Sequence, residues 1–166
     1  NTNSGYGTAT PGTVCTEETP LAPISLYGRQ KAEAERIVLD APNTVSLRLA
    51  TVFGMSPRMR RDLLVNFYVW EALKKRRIEV YDGHAMRNYV HVRDVARAVR
   101  LALESDQGGC VLNVGAGRPA TILEIAQMIL RTAGGDSSLA PLITQDYRFG
   151  DVRHCFCDNG QIQKVL

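Results

Sequence analysis

Tyr27 and Lys31 stand four residues apart in SLYGRQKAE (25–33), at the start of a stretch with helical periodicity. At that spacing two side chains share one face of a helix, a single turn apart. A phenol titrates near pH 10 and is a poor base at neutral pH, but a neighbouring ammonium favours its ionised form. Such a pair can move a proton to or from a hydroxyl while a nicotinamide cofactor takes or returns a hydride. The same spacing also describes a surface face on which Tyr packs and Lys snorkels, so the pair needs a context.

Nothing upstream of Tyr27 resembles a phosphate-binding loop. One glycine pattern, Gly115-x-Gly117-x-x-Ala120, lies between a strand-like and a helix-like stretch in NVGAGRPATILE (113–124). Its layout is that of a dinucleotide fingerprint, in which glycines let backbone approach a pyrophosphate at a helix N-terminus. Pro119 removes an N–H where donors are needed, Thr121 already offers the helix a cap, and the pattern lies far C-terminal to Tyr27. A strand-to-helix turn that needs small residues is the expected role.

The elements that must hold these residues alternate in periodicity. Residues 1–24, rich in Gly, Thr and Pro, read as a long loop of the kind that carries function. Ser25 caps a helix over 25–41, and TVSLRLATVFG (44–54) reads as one buried, β-branched strand ending at Gly54. LLVNFYVWEALKKRR (63–77) is a helix, IEVYD (78–82) a strand, and YVHV (89–92) a strand leading to Asp94, which caps the next helix. That cap is the expected role of Asp94, in preference to an acid–base pair with His91. CVLNVGAG (110–117) is a strand, and Thr121 with Glu124 forms a capping box for a helix that stops at Gly134-Gly135. PLITQDY (141–147) reads as a strand and DNGQIQKVL (158–166) as a helix. Strands alternating with helices imply an α/β fold with a largely parallel sheet.

Composition narrows the partners. At 166 residues the chain can build one domain with a core, and 45% hydrophobic with 22% charged residues is ordinary for a globular protein. A net charge of +3 is too mild to imply nucleic acid, and RMRR (58–61) and KKRR (74–77) read as solvated basic faces. Of the four cysteines only Cys155 and Cys157 are close, and C-x-C without a second ligand pair implies no metal site; in a strand the two share a face. No signal peptide or membrane-spanning run is present in the sequence, so a cytoplasmic setting with reduced thiols is expected.

In order along the chain, NTNSGYG (1–7), PISLYGRQKAEAE (23–35), LRLATVFG (47–54), MRNYVHVRDVARAV (86–99), NVGAGRPATILEIA (113–126) and RFGDVR (148–153) resemble the extended short-chain dehydrogenase/reductase family. These are the NAD-dependent epimerases and dehydratases that act on nucleotide sugars, and the resemblance spans essentially the whole chain. It implies a partial doubly wound, Rossmann-type parallel sheet lacking its first strands, plus most of a smaller α/β substrate domain. Residues 1–57 would be the later part of the NAD(P)-binding domain and 58–166 mostly the substrate domain, with 87–117 returning to the Rossmann part. In the family the glycine fingerprint precedes the loop with which this sequence begins. An internal or C-terminal fragment is therefore expected, inactive by itself, that forms a homo-oligomer or pairs with an N-terminal half.

The resemblance also implies roles. Tyr27 becomes the acid/base, and Lys31 lowers its pKa and holds the nicotinamide ribose, so both are catalytic and cofactor-binding. Thr2, four residues before the Tyr6-Gly7 dipeptide, supplies the hydroxyl that hydrogen-bonds the reacting oxygen. Dehydratases of the family carry acidic residues just after that hydroxyl; here stand Asn3 and Ser4, which favours epimerisation. Arg87 and Arg148 match positions that contact the nucleotide diphosphate, and Asn66 a substrate-side asparagine. The cofactor implied is NAD, with NADP open, and the partner is a nucleotide-diphosphate sugar. Thr51 replaces an asparagine common in nucleotide-sugar epimerases, which leaves the sugar and nucleotide open. A dehydratase, an NADP-linked reductase and a non-catalytic, self-associating fragment remain the alternatives.

Overall fold

The computed structural model of the chain describes residues 1–10, 12–134, 140–144 and 154–166. In order come a 3-10 turn (Asn3–Tyr6), α1 (Leu26–Leu39), β1 (Val45–Leu49), β2 (Thr51–Phe53), α2 (Leu64–Lys75) and β3 (Glu79–Val80). Then follow β4 (Met86–Arg87), β5 (Tyr89–His91), α3 (Val92–Glu104), β6 (Cys110–Val114), β7 (Ala120–Thr121), α4 (Ile122–Gly134), β8 (Leu142–Ile143) and α5 (Gly160–Val165).

The apolar run 44–54 is two strands rather than the one expected. β1 pairs in parallel with β6, Val45 opposite Cys110, while β2 pairs in parallel with β5, Thr51 opposite Tyr89. Ala50 is the handover: its N–H donates to Val114 O (2.9 Å), and the next N–H, of Thr51, donates to Asn88 O (3.0 Å). β3 and β8 form another parallel pair, and β4 and β7 an antiparallel one. Parallel strands need crossovers, which the helices supply.

Helix ends follow their caps, with one correction. Ser25 Oγ accepts from Gly28 N–H, and Thr121 with Glu124 makes the reciprocal box. α3, however, is capped by His91, whose Nδ1 accepts from Arg93 N–H (3.2 Å); Asp94 lies inside the first turn. There its charge still favours the helix dipole.

Three buried clusters hold the elements. Tyr68 and Ala72 of α2 meet Ile78, Val80 and Ala85, with Ile122, Ala126 and Leu130 of α4. Ala50, Val90, Ala98 and Val114 pack under α3. Tyr6, Cys15, Cys155 and Cys157 form the third, where residues 154–158 run beside the N-terminal loop. The loop expected over 1–24 is therefore structured at the Asn3–Tyr6 turn and at the Cys15–Cys157 bridge. Among the described residues no helix is long and apolar enough to cross a membrane.

Candidate active site

α1 carries the Tyr–Lys pair on an open surface. Tyr27 is 55% exposed, and Lys31 Nζ lies 5.8 Å from the centroid of its ring, within cation–π range. Between them Gly28 faces inward. A Cβ there would meet Pro23 Cβ at 2.9 Å and the Ser4 carbonyl oxygen at 3.1 Å. The first turn of α1 is thus pressed against the 3-10 turn that Thr2 opens. Thr2 Oγ1 caps that turn, accepting from Ser4 N–H (3.3 Å) and donating to Ser4 Oγ (3.2 Å). Its backbone is bridged in parallel to Leu49 at the end of β1. The structure therefore brings the turn of Thr2 and the helix of Tyr27 and Lys31 together.

A second loop, between β2 and α2, is stapled by Asn66. This buried amide accepts from Gly54 N–H through Oδ1 (3.0 Å) and donates to Arg60 O through Nδ2 (2.9 Å). Both ends of its side chain are thereby engaged within the fold. The loop carries Arg60, which sequence reasoning passed over as part of a basic run. Asp62 bonds to Arg60 and holds it above the usual arginine range, and the Tyr27 phenol adds a smaller effect of the same sign. Arg60 therefore lies within electrostatic reach of Tyr27.

Arg87 sits on β4, paired with Ala120 on one side and bridged to Cys155 on the other. Burial lifts the nearby phenols of Tyr68 and Tyr89 to about 12, partly offset by the Arg87 charge. Arg148 lies outside the described residues.

The glycine pattern at 115–120 is spent on packing. A Cβ on Gly115 would run into the Asn88 carboxamide, Ala116 N–H donates to Tyr89 O (2.7 Å), and Gly115 O accepts from Asn159 Nδ2 (2.6 Å). With Gly117 at φ +77°, the segment is a turn that leads into β7 and α4. The donor at Ala116 and the space at Gly115 are both taken by protein, so this turn offers no phosphate cradle.

Behind α1 lies a buried ion pair that the sequence did not announce. Arg48 Nη2 donates to Glu35 Oε1 at 2.6 Å, with both side chains almost fully enclosed. Glu35 is one helical turn beyond Lys31, but that spacing does not point to Arg48. A concavity of about 620 Å³ opens on the other side of β1, lined by Leu47, Leu49, Val99 and Leu103. It contains neither Tyr27 nor Lys31 and is not taken as the reaction site.

Comparison with known proteins bears on the family and the fold. The sequence profile of the NAD dependent epimerase/dehydratase family matches residues 1–115. A dTDP-glucose 4,6-dehydratase of Actinoplanes sp. is 31% identical over 172 residues, covering 100% of this chain and 52% of that protein. A dTDP-L-rhamnose 4-epimerase of Burkholderia thailandensis is 30% identical, covering 86% of this chain and 41% of that protein. The solved structure of MoeE5 in complex with UDP-glucuronic acid and NAD superposes with a TM-score of 0.85 at 33% identity, covering 100% of this chain and 56% of that one. The chain spans about half the length of the relatives it matches. The α/β fold of the chain is thereby identified as a partial Rossmann-type fold. By profile, by sequence and by fold, this chain belongs to the NAD-dependent epimerase/dehydratase family.

Proposed function

We propose that the whole protein carrying this chain is an NAD-dependent nucleotide-sugar epimerase that works through a transient keto-sugar. The observation that carries the assignment is the Lys31–Tyr27 contact, set on a helix pressed against the turn of Thr2. Tyr27 takes the proton of the sugar hydroxyl as the carbonyl forms and returns it to that oxygen afterwards. Lys31 holds its ammonium beside the Tyr27 ring. Thr2 Oγ1 gives up its bond to Ser4 Oγ and donates to the reacting oxygen. NAD, when bound, accepts and returns the hydride. The open, adjacent side chains of Tyr27 and Lys31 fit a nicotinamide ribose laid against α1.

Arg87 and Arg148 are assigned to the diphosphate, which suits their bidentate donors. Asn66 serves the sugar only by releasing one of its loop bonds. Residues 1–57 and 87–117 form the cofactor side, supported by the pairing of β1 with β6 and of β2 with β5. The rest of 58–166 forms the substrate side, supported by the shared cluster of α2, β3 and α4. Leu26, Ile37 and Val38, exposed on α1, support self-association, and the free cysteines suit a reducing, cytoplasmic setting.

Asn3 and Ser4 put no acid or base beside Thr2, which favours epimerisation. The Actinoplanes relative favours a second reading, a 4,6-dehydratase. Incubating the whole protein with NAD and either UDP-glucose or dTDP-glucose separates the two by NMR of the product. A C4 epimer with its 6-hydroxyl intact supports the epimerase, and a 4-keto-6-deoxy sugar identifies the dehydratase. No turnover of either sugar, with no NAD retained on purification, overturns both.

A further inference from the structure

α1 is not held by an apolar stripe. Of its 14 residues only Gly28 and Glu35 are buried, while Leu26, Ile37 and Val38 are exposed. Facing it, β1 turns Ser46 and Arg48 to the buried side, with Leu47 and Leu49 on the other. The contact between helix and strand is therefore ionic. Arg48 Nε donates to both Glu35 oxygens (3.1 and 3.2 Å) and Nη2 to Oε1 (2.6 Å). Ser46 Oγ donates to Oε2 (2.6 Å), as does Asn1 Nδ2.

The other end of Arg48 is equally fixed. Its Nη1 donates to Tyr6 OH (2.7 Å) and to Glu17 O (3.2 Å), and its guanidinium lies 4.9 Å from the Tyr6 ring centroid. Tyr6 OH in turn donates to Asn113 Oδ1 (2.8 Å). Tyr6 ends the 3-10 turn that Thr2 begins. One network thus ties α1, β1, β6 and the Thr2 turn together.

A buried ion pair is seldom a better source of stability than apolar packing of the same volume. What a directional set of bonds adds is a fixed rotation. Gly28 and Glu35 are seven residues apart, on one line along α1 about 10 Å long. Tyr27 and Lys31 lie to one side of that line, about 40° apart around the axis. A rotation of about 10° moves an atom about 6 Å from the axis through about 1 Å.

We infer that Glu35 and Arg48 are positioning residues, whose buried ion pair sets the rotation of α1 and so aims Tyr27 and Lys31 at the turn that carries Thr2. The kinetic half of the test rests on the proposed reaction; the structural half does not. In the whole protein, Glu35→Leu combined with Arg48→Met replaces the pair by apolar packing. The double variant is expected to fold, with Tm lowered only by the bonds that Ser46 Oγ and Glu17 O lose. Its kcat should fall about 10- to 100-fold, with KM for the nucleotide sugar within about threefold of wild type. Its crystal structure should show α1 rotated against β1.

Arg48→Lys keeps the charge but not the planar fork, and carries the same readouts should the double variant fail to fold. Wild-type kcat per folded molecule, or an α1 that has not rotated, overturns the inference. A wild-type protein without nucleotide-sugar turnover defeats the proposed reaction instead. The variant crystal structures then decide the positioning role, an unrotated α1 again counting against it.

Discussion

Gly115 lies flush against the carboxamide of Asn88, so that a methyl group on Gly115 would overlap its nitrogen, carbon and oxygen. Asn88 is 1% exposed and donates through Nδ2 to Cys157 O, so it has nowhere to retreat. Gly115→Ala should therefore cost about 1–3 kcal/mol by overpacking, or roughly 3–10 °C in Tm for a domain of this size. NAD affinity of the whole protein should not change. Calorimetry beside an NAD titration checks both; a normal Tm with lost NAD binding would return this turn to the cofactor.

Tyr27 is 55% exposed, so its removal separates chemistry from stability. Tyr27→Phe in the whole protein should lower kcat by about 10²–10⁴-fold, the share expected of a general acid/base. The melting curve should barely move. A Phe variant with full turnover would leave the proposed chemistry without its proton carrier.

Asn66 is predicted to act through the loop it staples. Asn66→Ala removes the side-chain partner of the half-buried Gly54 N–H and of Arg60 O, at a cost of about 1 kcal/mol for the lost bonds. Asn66→Asp keeps the acceptor for Gly54 and should lose less. Urea unfolding ranks the two variants. Equal stability of both with wild type, together with a raised KM, would mean that the amide serves substrate instead.

The pH profile should fall at both ends, for opposite reasons. Burial opposes the Glu35 carboxylate, but the bonds from Arg48, Ser46 and Asn1 prevail and hold it below the ordinary value of 4.5. A depressed carboxyl stabilises the fold above its unfolded-state value and loses that contribution as pH falls through the folded one. Burial lifts the phenol of Tyr6 from 10 to about 12, and likewise Tyr68 and Tyr89. These neutral phenols contribute fully below pH 10, and the loss grows as pH rises toward about 12. Tm measured against pH should show a plateau between the two limbs, with a shallower acid limb in Glu35→Gln. An acid limb unaltered by that substitution would deny Glu35 its share.

Thiol labelling should divide the cysteines. Cys15, Cys155 and Cys157 are buried and Cys110 is partly exposed. The neighbouring Cys157 thiol lowers the pKa of Cys155 and is itself pushed up, while Cys155 Sγ donates to Asn3 O (3.5 Å). Reactivity needs access as well as a thiolate. Cys110 alone of these should label quickly in the native protein, the other three only on unfolding, as peptide mass mapping can establish. Rapid native labelling of Cys155 would show that residues 154–158 open.

Features confined to one turn or one loop were legible in the sequence. The Tyr27–Lys31 spacing, the Ser25 cap and the Thr121–Glu124 box each lie within a few residues, and all three form as read. The split of 44–54 was not legible, because both halves share one composition and the handover at Ala50 depends on Val114 and Asn88. The Glu35–Arg48 pair was hidden by inversion. A glutamate on a helix reads as surface, and in β1 it is Ser46 and Arg48, not the leucines, that face α1. His91 displaced Asp94 as a cap because the chain turns into α3 before Asp94 is reached. The two-residue strands β4 and β7 are too short to show any period.

Among the described residues, three backbone bonds join the segments 9–15 and 154–158: Ala9 N–H to His154 O (2.8 Å), Cys15 N–H to Phe156 O (2.8 Å) and Asp158 N–H to Cys15 O (2.9 Å). A ribosome adds about 5–20 residues per second, so Cys15 waits roughly 7–28 s for its partner to be made. Until then the side of Tyr6 that meets Cys155 and Cys157 stays wet. The turn of Thr2 is made before the segment that seals it. A nascent chain paused before Asp158 would display that unfinished seam.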